Sequence, residues 1–95
     1  MIVGFSKLTL SIQACHSLKE KRGVIRRVKD RTFNKFKVPV SEVGSQDKWQ
    51  RAELGFSIVG NDKRVIEGLL QKIENFIEDL GLVQVIDSCS EIINV

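Results

Sequence analysis

The sequence predicts one α+β domain over residues 1–95, of the split βαβ or ferredoxin-like type. Its element order is β-α-β-β-α-β, with an antiparallel sheet in the order 4-1-3-2 and both helices on one face. Three observations lead there. Apolar and polar residues alternate in the first, middle and last stretches of the chain. Two stretches between them repeat apolar residues at helical spacing. Start and stop signals separate the stretches at the right places.

The first strand lies within residues 2–13, where Leu8, Leu10 and Ile12 point one way and Lys7, Thr9, Ser11 and Gln13 the other. Ser17 and Glu20 then form a capping box, each side chain placed to satisfy an orphan amide of a helix start. In the helix that follows, Leu18, Ile25, Val28, Thr32 and Phe36 share one stripe, with basic residues around most of the remaining circumference. Gly23 costs that helix about 1 kcal/mol relative to alanine. Val38 and Val40 alternate with Pro39 and Ser41, and a proline in a strand places the second strand at a sheet edge. Ala52, Leu54, Phe56 and Ile58 give the third strand, and Gly60, Asn61 and Asp62 a turn and helix cap. The second helix runs from Val65 to Leu80 and stops at Gly81. Residues 83–95 close the chain as a strand whose alternation slips near Asp87 to Ser90, which predicts a bulge or a shortened strand there.

Composition points to a soluble globular domain, with 42% hydrophobic and 28% charged residues, one proline and no biased tract. No stretch reads as a signal peptide or a membrane span, so a cytoplasmic protein with no membrane partner is expected. Cys15 and Cys89 form no close pair, and with His16 they supply too few ligands for a structural zinc site. No metal and no cofactor are expected. Glycine-rich phosphate loops, the arginine-bearing glycine loop of acylphosphatases and the M-x-C-x-x-C of small metal chaperones are all absent. Cys15 beside His16 lacks an orienting third group, so the sequence offers no catalytic residues and the chain reads as a non-enzyme.

Charge is the informative signal. From His16 to Lys37 nine lysines and arginines stand against Glu20 and Asp30, a local balance of +7, whereas from Asp62 onward the balance is −4. A basic stripe on one amphipathic helix marks a binder of polyanions or acidic partners. The candidate nucleic-acid contacts are Lys19, Lys21, Arg22, Arg26, Arg27 and Arg31. Lys21 also falls on the apolar stripe, where it must reach the rim or meet an acid. His16 and Ser17, at the free amides of the helix start, are a candidate anion site unless Glu20 closes it.

The runs His16-Ser-Leu-Lys-Glu-Lys-Arg22, Val40-Ser-Glu-Val43, Asp47-Lys-Trp-Gln-Arg51 and Gly60-Asn-Asp62 together resemble the YlxP-like family of small bacterial proteins, over essentially the whole chain. The resemblance implies a ferredoxin-like fold and a bacterial cytoplasmic protein. Genes of that family often sit beside those for translation initiation factor two and ribosome-binding factor A. It carries over no catalytic residues.

The expected function is therefore a non-enzymatic accessory factor that binds structured RNA or a ribosomal particle through its basic first helix. The chain has no tyrosine and no RNP pattern, so contact would be electrostatic and shape-driven, not base stacking on the sheet. The alternative is a protein-interaction or homodimer module that uses the open sheet face or the Pro39-bearing edge, with Phe5, Trp49 and Arg51 as interface residues.

Overall fold

Residues 1–95 are all described in a computed structural model of the chain. The elements are β1 (Ile2–Ser11), α1 (Leu18–Phe36), β2 (Ser41–Gly44), β3 (Arg51–Gly60), α2 (Lys63–Asp79) and β4 (Gln84–Asn94). The four strands form one antiparallel sheet in the order β2-β3-β1-β4, which is the predicted order read from the opposite edge. β1 lies inside the sheet, paired with β3 from Ile2↔Gly60 to Ser11↔Arg51 and with β4 from Ile2↔Asn94 to Ser11↔Gln84.

The alternation in β1 and β3 sends Leu8, Leu10, Ala52, Leu54 and Phe56 into the core, where they meet Ile25 and Val28 of α1 and Ile66, Leu70, Ile73 and Ile77 of α2. Gly4 lets α2 come close to the sheet. A Cβ there would sit 2.4 Å from Ile66 Cγ2, so only a residue without a side chain fits beneath this helix. α2 starts on Asp62, whose carboxylate accepts from the amides of Arg64 and Val65. After α2 the chain turns at Gly81, whose φ of 71° lies in the region that favours glycine.

Two local expectations are corrected, the start of β2 and the exposure of Thr9, and the irregularity expected in β4 is present as a bulge. β2 begins at Ser41, two residues beyond Pro39, and is only four residues long. Lys37 takes a left-handed conformation at the α1 C-cap, and Pro39 has no amide to donate to a ladder. Residues 38–40 therefore serve as a connection, with Val40 plugged into the core. In β4 the register shifts between Asp87, opposite Thr9, and Val85, opposite Leu10. The extra residue is Ile86, one position before the stretch where the alternation slips. Thr9, expected among the exposed residues of the open face, is only 6% exposed; its partners in the register are Glu53 and Asp87.

Candidate nucleic-acid interface

α1 presents the basic surface. Ser17 is extended at the N-cap, its Oγ accepts from Glu20 N at 3.1 Å, and Glu20 Oε2 accepts from His16 N at 2.7 Å. The capping box is therefore closed from both sides. The Glu20 carboxylate thus takes the His16 amide and places a negative charge beside the expected anion site at His16 and Ser17, which disfavours an anion there.

Lys21 requires a correction. It is buried on the same stripe as Ile25, Val28 and Thr32, with its side chain 2% exposed. Its Nζ stands 3.0 Å from Glu42 Oε2 and donates to the carbonyl of Ser45. Glu42 Oε2 is buried and lies off the hydrogen-bond direction, so the pair is held by charge and not by an aligned bond. A lysine so enclosed cannot reach an RNA phosphate. Lys21 instead ties α1 to β2, and Ser45 continues the link by donating its Oγ to Glu53 Oε2 at 2.8 Å.

The remaining candidates, Lys19, Arg22, Arg26, Arg27 and Arg31, are all exposed. The ion pairs of the chain are Lys7–Glu53, Lys21–Glu42 and Lys63–Glu67, so none of these five cations is neutralised by an internal acid. Lys19, Arg26 and Arg27 stand four before, three after and four after Gly23, the positions that neighbour it on a helix surface. Gly23 opens onto empty space. The result is a dent in the helix ringed by three cations. It belongs to a shallow depression of about 840 Å³ that extends to Ile12, Ala14, Cys15 and Leu82. The side chains of Lys19, Arg26 and Arg27 therefore surround an open spot on the helix surface.

Cys15 lines the floor of this depression. Burial pushes its thiol above the ordinary value, Glu20 adds to the rise and Lys21 opposes it. The thiol stays protonated at neutral pH, which is the inert form of cysteine. Nowhere do three or more histidine, cysteine or acidic side chains gather in a group that could hold a metal ion.

The proposed interface residues are not brought together. Phe5 faces the open side of the sheet opposite Ser57, whereas Arg51 lies opposite Ser11, six residues along β1 and therefore roughly 20 Å away. Trp49 is 52% exposed in the loop before β3. Register reveals a feature that the sequence reading missed. Val3 lies between Val59 of β3 and Ile93 of β4, which are 61% and 45% exposed, so an apolar row crosses one end of the open face. The signal was present in the alternation, but only the strand pairing places these three residues side by side.

Comparison with known proteins gives three findings. The family described as "Protein of unknown function (DUF503)" matches residues 3–89. The "Uncharacterized protein YlxP" of Bacillus subtilis (strain 168) is 40% identical over 83 residues, which span 87% of this chain and 90% of that protein. A solved structure, "Structural Genomics, protein YJCS", superposes with a TM-score of 0.59 at 13% identity, covering 97% of this chain and 99% of that one, a likeness of fold alone. No helix is long and apolar enough to cross a membrane.

Proposed function

The chain belongs to the DUF503 family of proteins of unknown function, and with that as premise we propose that it is a cytoplasmic, non-enzymatic accessory factor that docks on structured RNA through α1, a ribosomal particle being the favoured target. One observation carries the reading: five exposed cations along about three turns of one helix, none paired within the chain. Phosphates of folded RNA are the ligand class that such a row fits, because counterion release rewards each phosphate neutralised. The family name supplies no activity, so the charge and its exposure support the proposal alone.

The test is co-sedimentation of the protein with ribosomal subunits at low and raised salt, beside the variant R26E/R27E/R31E. Binding that falls with salt and is lost in the variant supports the reading. Absence of binding at both salts removes the ribosomal target.

A second reading, a homodimer through the open sheet face, is favoured by the Val59, Val3 and Ile93 row with Phe5 beside it. Light scattering across a concentration series tests it. A dimer that V59K/I93K converts to a monomer would support this reading.

A further inference from the structure

We infer that the free edge of β4 is a docking site for an extended segment of a partner protein bearing lysine or arginine, which joins the sheet as a fifth strand. β4 is an edge of eleven residues. Proteins usually guard such edges with lysine, proline, short strands or a covering segment. The other edge, β2, is guarded: it has only four residues and Pro39 just before it. β4 has neither lysine, arginine nor proline from Gln84 to Val95.

The ladder fixes which backbone groups are free. Met1 and Val95 exchange two hydrogen bonds, Val95 N to Met1 O at 2.7 Å and Met1 N to Val95 O at 3.0 Å. Alternation along an antiparallel pair then turns Ile93, Glu91, Cys89 and Asp87 toward β1, and Asn94, Ile92, Ser90 and Ser88 outward. Glu78 accepts the amide of Val85 at 2.6 Å, so the available stretch begins after the bulge. Four consecutive outward positions make a template for strand addition.

Charge identifies the occupant. On the helix side a groove of about 220 Å³ runs between α2 and β4, with Leu70 and Ile92 as its apolar part and Glu67 and Glu74 on the α2 flank. Glu67 has only Lys63, 3.8 Å away, and Glu74 has no ion-pair partner. On the open side Asp87 and Glu91 flank Cys89, the partner of Lys7, and Lys7 is itself paired with Glu53. An added strand therefore meets carboxylates on whichever face its side chains point. A long cation would lay its stem on Leu70 and Ile92 and its charge beside Glu67 and Glu74. A second copy fits worse, because two β4 edges would align Asp87 and Glu91 of both copies along one seam.

The test is amide hydrogen exchange on the full chain with a ten-residue probe peptide that alternates lysine and valine, beside a control that alternates glutamate and valine. The lysine probe is expected to raise protection of the Ser88, Ser90, Ile92 and Asn94 amides by about tenfold or more, and the control to leave them unchanged. S88P removes an outward donor without touching the β1 ladder. It should abolish binding while Cys89 and Glu91 keep their protection. E67K/E74K, on the surface of α2, should weaken binding about tenfold. No gain in protection, equal binding of the control, or edge protection in the free protein that grows with its concentration would overturn the inference. R26E/R27E/R31E should bind the peptide as the unaltered chain does, so this result is independent of the RNA reading.

Discussion

The Lys21–Glu42 pair makes an asymmetric prediction. Lys21 is 2% exposed and Glu42 23% exposed, so the two partners differ in what happens when either is lost. In Glu42→Gln the ammonium remains enclosed, with the Ser45 carbonyl as its remaining oxygen partner. Stranding a buried charge costs about 3–5 kcal/mol, and some access of water through the Glu42 side puts this case near about 3. In Lys21→Met the thioether fills the volume of the lysine stem, and the partly exposed carboxylate can turn to solvent, which limits the loss to about 1–1.5 kcal/mol. The double variant K21M/E42Q should be no less stable than K21M. Urea unfolding reads these differences. With a slope of about 1.5 kcal/mol/M, E42Q should shift the midpoint by about 2 M and K21M by at most about 1 M. Equal losses, or a larger loss in K21M, would refute the reasoning that burial of the ammonium dominates. K21M should also leave RNA affinity unchanged, because the side chain lies beneath the helix and not on its outer surface.

Two glycines should respond oppositely to alanine: Gly4→Ala meets Ile66 at 2.4 Å and should cost about 1–3 kcal/mol, whereas Gly23→Ala meets nothing and should gain about 1 kcal/mol, both read by urea unfolding. Glu53 is held below the ordinary carboxylate value, first by the Ser45 hydroxyl and further by Lys7 and Arg51. Its ionised form therefore adds stability above the unfolded carboxylate pKa, and that contribution is lost as pH falls through the lowered folded value. Glu53→Gln should flatten the acid limb of a stability profile in this range and leave its alkaline limb unchanged. For Cys15 the sign is reversed: a thiol raised from 9.0 adds stability below that pH, and the contribution is lost as pH rises through the folded value. Iodoacetamide at neutral pH should accordingly modify exposed Cys89 well before buried Cys15, as peptide mass mapping over time will show.

The fold was legible because its signals were local. Alternation in β1 and β3, the Ser17–Glu20 capping box, the Asp62 cap and the stop at Gly81 all depend on residues within a few positions of one another. β2 was displaced because its alternation around Pro39 describes a connection, and the true strand is specified by pairing with β3. The basic surface was legible for the same reason as the helix, since spacing fixes which residues face outward. Lys21 lay at the limit of that logic. Its place on the apolar stripe showed that it had to reach the rim or meet an acid, and only the approach of β2 decides for Glu42. The placement of the Glu20 carboxylate likewise required geometry, because a sequence cannot tell whether it reaches back to His16. The edge position of β4 followed from the predicted strand order, whereas the Val59, Val3 and Ile93 row and the outward amides of β4 depend on the register of strands far apart in the chain.

The most direct test of the central claim is a salt titration of binding to a structured RNA, followed by fluorescence anisotropy, with the unaltered chain and R26E/R27E/R31E measured side by side. If four or five exposed cations of α1 neutralise phosphates, affinity should fall with a log–log slope of about −3 to −5, and the variant should bind far more weakly with a slope nearer about −1. A slope near zero, or one that the three reversals leave unchanged, would contradict the claim that this helix carries the RNA contact.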